Sequence, residues 1–410
     1  MSKVNILLLI FNILHHWRLW FLAVPSVLTN DLHSIKTENI MKTITTTKSP
    51  TVKDYIDAYL IERKYCAAPS TLASDLSRAK NINEALGEFP INAVSHTQIN
   101  MLLVSWHERF RNKTINEHLT ILRRISLKAV RDGVIARNPM NGVQNFKTVD
   151  PEPNPFTKKE LARMHECKNV CTQGQNAVML NLLTGLRISE LIALSWQDIN
   201  WEREVLYVRR ACVLNIYKCP KTKGSVREVD LNPLALKLLK EQLKLTGKRH
   251  PQTINILECD NKTFTKDSVS FIFLNTKTNQ PFTDAKEFTE RFFIKFLERA
   301  GVAHRGVGQL RHTFASQCLT AGISKDWLAV QMGHKSTTMI DKHYGRWIRE
   351  DSPNYAREAA QHLQEIFGLP QIKPTVTLPA VPHSSLVLLK KLQSKPQLIQ
   401  LLEGMLESDR

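Results

Sequence analysis

Acidic residues are what this chain has too few of. Its 410 residues hold 38 Asp+Glu against 56 Lys+Arg, a formal net charge of +18. A deficit of that size points to a polyanionic partner, and nucleic acid is the commonest one. General surface basicity is the plainer alternative. Cysteine is sparse as well, with seven thiols at positions 66, 167, 171, 212, 219, 259 and 318. They are odd in number and dispersed, so no disulfide framework is implied and the chain reads as a reduced, cytoplasmic one. His165, Cys167 and Cys171 lie close together, but no second ligand pair follows at zinc spacing, and small thiols in helix packing explain them better. A P-loop and a glycine-rich dinucleotide turn after a strand are also missing, so nothing supports a hydrolase, redox or transporter role. No metal and no cofactor are expected.

Long apolar runs fall short too. Val4 to Trp17 is uncharged, Arg18 interrupts it, and a second apolar stretch runs to Leu28. Neither half reaches the ~18 apolar residues needed to cross a bilayer. A signal peptide with Lys3 as its positive end conflicts with so basic a chain, and a membrane anchor is the weaker alternative. The favoured expectation is that residues 1–40 form a leader upstream of the true start, because Lys42-Thr43-Ile44 after Met41 runs directly into the first domain.

What is present suffices for packed cores. The apolar fraction is 42%, and a chain this long is expected to divide into about two or three domains. Thr51-x-x-Asp54 forms a capping-box pattern ahead of Val52, Tyr55, Ile56, Tyr59 and Leu60 at helical spacing. Further helices are expected after Pro69-Ser70, from about Thr97 to Trp106, and from Lys113 to Arg131. The last has an apolar face of Ile115, Leu119, Leu122, Ile125 and Ala129, ended by Gly133 and Asn138-Pro139. Its basic residues Lys113, Arg123, Arg124 and Lys128 lie off that face and are the candidate DNA contacts. Such contacts go mainly to phosphates and weaken steeply with salt.

Residues 50–147 therefore read as a small helical domain, and the proline-rich segment within 148–156 reads as an extended linker. Thr157-Lys158-Lys159-Glu160 opens the next domain, expected over 157–350, with a tail over 351–410 that includes a helix at Gln397–Leu406. Within the second domain, helices are expected across Ala177–Leu183 and from Ile188, and strands at Val205–Arg210, Leu214–Lys218 and Arg227–Leu231. The last two strands are expected to be paired through the basic turn Lys221-Thr222-Lys223-Gly224-Ser225. One more strand is expected near Val269–Leu274, with helices elsewhere from Leu234 onward.

Four local signatures carry the chemistry. Arg187 follows Thr184-Gly185-Leu186, Arg311 opens Arg311-His312-Thr313-Phe314-Ala315-Ser316, His334 ends Gln331-Met332-Gly333-His334, and Tyr344 lies in Lys342-His343-Tyr344-Gly345. Two guanidiniums hold phosphate oxygens bidentately and stay cationic, and a helix N-terminus beside each adds free N–H groups. Lys221 on a flexible turn suits a general acid, with Lys223 a competitor two residues on. His334 can donate to a non-bridging oxygen. The Tyr344 phenol can attack phosphorus and keep the energy of the broken ester, with Tyr355 as its rival.

Together these segments resemble the tyrosine recombinases (phage integrases), over residues from about 50 to 350. Thr184-Gly185-Leu186-Arg187-x-Ser189-Glu190-Leu191 resembles the family's first arginine box, and Leu310-Arg311-His312-Thr313-Phe314-Ala315-Ser316 its second. Met332-Gly333-His334 with Tyr344 is similar to the last box. The resemblance implies a mainly α fold with a small antiparallel sheet: an all-helical, SAM-like core-binding domain and a mixed α+β catalytic domain, closing as a C-shaped clamp. It implies strand cleavage by Tyr344 through a 3′-phosphotyrosyl link, double-stranded attachment sites, a homotetramer on DNA from a free monomer, accessory DNA-bending or directionality factors, and a nucleoid location. It also implies a mobile-element integrase. A DNA-binding protein of the same fold with little catalysis, or a type IB topoisomerase-like enzyme, are the alternatives. One position departs from the pattern: the family usually has histidine three residues before the second arginine, and this chain has Gly308. Losing such a donor costs roughly 10- to 100-fold in rate. His304 or His312 could partly compensate, though the expected place of His312 is in helix packing.

Overall fold

The computed structural model describes residues 49–149, 152–220, 226–334 and 336–344, with Ala359 and Ile366. Every helix and strand discussed below lies before Ser352, where the chain divides. The leader, the tail helix, Lys221, Lys223 and Tyr355 lie outside the described residues.

Among the described residues four helices come first: α1 (Val52–Cys66), α2 (Pro69–Leu86), α3 (His96–Arg109) and α4 (Asn112–Arg131). The start of α1 is fixed by a reciprocal cap, with Thr51 Oγ1 accepting from the Asp54 N–H and the Asp54 carboxylate accepting from the Thr51 N–H. Ser95 and Gln98 repeat the device at α3, and Pro69 opens α2 with its fixed φ. The apolar face of α4 is buried as its spacing predicts, and Gly133 ends it at φ +73°. These helices share one hydrophobic core built on Ile56, Ile82, Ile99, Trp106, Ile115 and Leu119. Inside it His118 stacks on Trp106 and Phe110, takes a hydrogen bond from Asn81 and donates to the Thr114 carbonyl. Burial pushes its pKa down, in keeping with a neutral ring.

The second core begins at Phe156. The helices here are α5 (Lys158–Glu166), α6 (Thr172–Thr184), the single turn α7 (Ile188–Leu191), α8 (Pro233–Thr246), α9 (Ala285–Phe288), α10 (Ile294–Arg299), α11 (Gln309–Thr320), α12 (Lys325–Met332) and α13 (Thr337–Tyr344). A π-helical turn, Thr289–Phe293, joins α9 to α10. Thr157 and Glu160 form the expected capping box at α5. Glu160 also takes a two-pronged ion pair from Arg305 at 2.8 and 2.8 Å, and Arg305 lies over the Phe156 ring. The Phe156 N–H donates to Thr313 Oγ1, which ties the start of this core to α11.

Seven strands make two small sheets: β1 (Ile199–Asn200), β2 (Val205–Val208), β3 (Ala211–Val213), β4 (Ile216–Lys218), β5 (Arg227–Asp230), β6 (Gln252–Leu257) and β7 (Phe264–Val269). The first sheet is antiparallel, β1-β2-β5, and the second runs β3-β4-β6-β7 with β4 and β6 parallel. Mainly helical with small sheets, the architecture matches the fold class that the sequence implies, but its strand pairing corrects the expectation in three places. The segments on either side of the basic turn do not form a hairpin. β4 pairs with β3 and β6, whereas β5 pairs with β2 in the other sheet. Leu214 is a turn residue, not a strand start: Leu214 and Asn215 both sit at positive φ and close the β3–β4 hairpin. The strand expected at Val269–Leu274 ends at Val269, and the β6–β7 hairpin falls where helix was expected. Phe271 to Leu274 are instead buried and irregular, touching Ser195 through one isolated bridge.

Candidate active site

Two glycines and two helix ends place the four signatures. Gly185 ends α6 at φ +65°, and a Cβ there would lie 2.3 Å from the Phe314 ring. Only glycine allows both the left-handed turn and this approach to α11. The turn delivers Arg187 to the N-terminus of α7. Gly333 ends α12 at φ +69° and delivers His334, whose N–H donates to the Ala329 carbonyl at 2.9 Å.

Arg311, one turn into α11, is the centre of the arrangement. It is only 8% exposed. Its Nη1 donates to the Gly185 carbonyl at 2.5 Å, and its Nη2 donates to the Met332 carbonyl at 2.7 Å and to His334 Nε2 at 3.0 Å. Arginine has no acceptor, so His334 Nε2 must accept here and the ring proton sits on Nδ1. Desolvation pulls the Arg311 pKa down, while its attraction to Tyr344 and the hydrogen bond it donates to the Tyr344 oxygen push it back up. Tyr344 itself is buried at the end of α13, with its ring centroid 4.8 Å from His312 and 5.7 Å from His334. Arg311, His334 and Tyr344 thus form one contiguous group.

Arg187 stands at its edge. Its side chain is about half exposed at 47%, while the Glu190 side chain beside it is 7% exposed. The Glu190 carboxylate accepts from the Arg187 N–H and from Arg187 Nη1, both at 2.9 Å. It also takes both prongs of Arg227, at 3.0 and 2.8 Å. Burial alone would raise the Glu190 pKa, but the fork from Arg227 and the charge of Arg187 hold it at about 2. The sequence reading missed Arg227. A lone arginine in a four-residue strand gives no local signal, and its meaning comes from a carboxylate 37 positions earlier.

Lys221 lies outside the described residues. Gly308 is exposed, sits at helical φ −59° and ψ −21°, and a Cβ there would meet nothing within 4 Å. A side chain at 308 therefore has both room and an ordinary backbone. His304 is exposed. His312 packs between helices, its ring on α11 meeting Tyr344 on α13. Gly308→His is expected to fold normally and to speed DNA cleavage by about 10-fold, the worth of one added donor to the developing charge. An unchanged single-turnover rate would mean that the donor is already supplied.

The arrangement offers a phenol beside two guanidiniums and an imidazole, with no group of three or more His, Cys, Asp or Glu fit for a metal among the described residues. Residues 156–348, a little under half of the chain, match the phage integrase family. The chain is 32% identical over 240 residues to the prophage integrase IntR of Escherichia coli K12, a match that spans 58% of either chain. The putative defective protein IntQ of the same strain is 27% identical, over 74% of this chain and 81% of its own. Among solved structures, the Tn1549 transposon integrase in complex with a circular intermediate DNA superposes with a TM-score of 0.61 at 22% identity, over 77% of this chain and all of that one. A lambda integrase tetramer bound to a Holliday junction gives 0.57 at 18% identity, over 75% and 82%. These last two likenesses concern the fold.

Proposed function

We propose that this protein is a mobile-element integrase that cuts and rejoins double-stranded DNA at specific attachment sites through Tyr344. The observation that carries this is the convergence of Tyr344, His334 and Arg311 in one buried group, with Arg187 held next to it by Glu190. The Tyr344 phenol gives up its proton to solvent as its oxygen attacks the scissile phosphorus, the bond from phosphorus to the 5′ oxygen breaks, and a 3′-phosphotyrosyl ester forms. Arg187 and Arg311 balance the negative charge that grows on the non-bridging oxygens, and His334 adds a hydrogen bond. A proton reaches the departing 5′ oxygen from Lys221 or Lys223. Attack by the 5′-hydroxyl of a partner strand reverses these steps and releases the tyrosine. No external energy source is required, because one ester replaces another.

Residues 50–147 serve in this proposal as the core-binding domain and 157–350 as the catalytic domain, acting as a tetramer on paired sites with accessory bending or directionality factors in the nucleoid. Among the described residues no helix is long and apolar enough to cross a membrane. Lys113 and Arg124 are exposed on α4, with Arg124 over the Tyr59 ring. Lys128 pairs with Glu62, and Arg123 donates to Asn145 Oδ1 and the Val143 carbonyl. Arg124→Ala is therefore expected to lower affinity and reduce the slope of log affinity against log salt by about one. Arg123→Ala should in addition loosen the 143–145 loop, seen as a lower melting temperature.

Adduct mapping tests the proposal. Incubation with nicked duplexes carrying the element's ends should give a denaturant-resistant complex, with the DNA on the peptide that holds Tyr344. Tight binding without any adduct would instead identify a binding protein of this fold, the outcome that Gly308 makes worth excluding. Relaxation of plasmids that lack such sites would identify a topoisomerase.

A further inference from the structure

We propose that Arg227 is a positioning residue for strand cleavage, fixing Arg187 and the Gly333–His334 turn to one buried carboxylate. This rests on the cleavage role proposed above for Arg187 and His334. Arg227 belongs to β5, away from the four signatures, and its side chain is 9% exposed against 7% for Glu190. Its two terminal nitrogens occupy both oxygens of Glu190, the same carboxylate that holds the Arg187 backbone and guanidinium. Its Nε donates to the Gln331 carbonyl at 3.3 Å. A Cβ at position 333 would lie 2.8 Å from Arg227 Cδ and 2.9 Å from Nε, so the glycine turn rests directly on the arginine stem.

Arg311 makes the same bridge from the other side. It joins the Gly185 carbonyl to the Met332 carbonyl, where Arg227 joins Glu190 to the adjacent Gln331 carbonyl. Two buried arginines therefore clamp the segment carrying Arg187 to the segment carrying His334. β5 itself cannot slide, because Gln331 exchanges two hydrogen bonds with the backbone of Asp230 and Trp327 Nε1 donates to the Asp230 carboxylate. Burial keeps Arg227 from reaching substrate, so its effect has to pass through its neighbours.

Removing Arg227 leaves the Glu190 carboxylate with Arg187 as its one remaining guanidinium partner among these contacts. Glu190 then draws the Arg187 side chain inward, off the position a phosphate would occupy. Arg227→Ala is expected to slow single-turnover cleavage by about 100-fold, the cost of a small misplacement of a reacting group. DNA affinity should change by no more than about twofold. In an Arg187→Ala background the same substitution should cost about 10-fold or less, because the part of its effect that passes through Arg187 is gone and only the part through the Gly333–His334 turn remains. Equal losses in both backgrounds would show a merely structural role and overturn the proposal, as would a wild-type rate in folded Arg227→Ala.

Should Arg227→Ala fail to fold, Arg227→Lys carries the test. A single ammonium cannot fork onto Glu190, so a partial loss with the same background dependence is expected. One further readout needs no activity. Phenylglyoxal labels exposed guanidiniums, and peptide mapping of the DNA-free protein should show Arg187 labelled more slowly in Arg227→Ala than in the wild type. Unchanged labelling overturns the proposal even if no DNA adduct ever forms, whereas slower labelling without an adduct would remove the cleavage reading and leave the positioning intact.

Discussion

Tyr344→Phe is expected to abolish the covalent DNA adduct while leaving folding and DNA affinity at wild-type levels. The substitution removes one oxygen and keeps the ring. That ring packs in a small core with Phe314, Leu319, Leu328, Met332 and Ile340, against the imidazoles of His312 and His334. All those ring contacts survive, and the hydrogen bond shared with Arg311 that is lost is worth roughly 1 kcal/mol. Chemistry is affected without compensation, because phenylalanine has no atom that can form an ester with phosphorus. Affinity is set elsewhere, by cations on phosphates, and should follow the same salt dependence in both proteins. Three measurements suffice: adduct yield on a nicked duplex, melting temperature, and binding at two salt concentrations. A persistent adduct would move the nucleophile to another residue, Tyr355 first. A collapsed melting temperature would mean that the phenol is chiefly structural.

The parts of this site that could be read from the sequence are those coded within a few residues. Gly185 and Gly333 mark left-handed helix ends, and each is followed by its functional side chain within two positions, so Arg187 and His334 are announced by their neighbours. The capping boxes at Thr51 and Thr157 fix helix starts in the same local way. Strand pairing has no such code. β4 finds its partner in β6, 39 residues downstream, with Tyr217 opposite Ile256 and Lys218 opposite Leu257. The basic turn between β4 and β5 looks like a hairpin tip only because the two strands are neighbours in sequence. The strands on either side of it, β4 and β5, belong to different sheets. Arg227 went unread for a related reason. Its contact with Glu190 is one that only the packed structure brings together.

Arg311 should be the least replaceable residue of the cluster, and its substitutions should separate two roles. Its guanidinium satisfies the carbonyls of Gly185 and Met332 and orients His334, all within a buried site. Arg311→Ala strips both carbonyls of this partner in one step, and each buried acceptor left unsatisfied costs roughly 1–3 kcal/mol. A clear fall in melting temperature is expected, together with loss of cleavage. Arg311→Lys isolates the chemistry. An ammonium keeps the charge but lacks the planar fork, so it cannot hold two carbonyls and an imidazole while still facing a phosphate. Cleavage by Arg311→Lys should fall about 10²- to 10³-fold, the range for removing a preorganised donor from a developing negative charge. Its DNA affinity should stay near wild type, because net charge is unchanged. Single-turnover rates measured at saturating enzyme distinguish the two effects. A lysine variant that cleaves at the wild-type rate would reduce Arg311 to a structural clamp and leave Arg187 as the cation on which transition-state stabilisation depends.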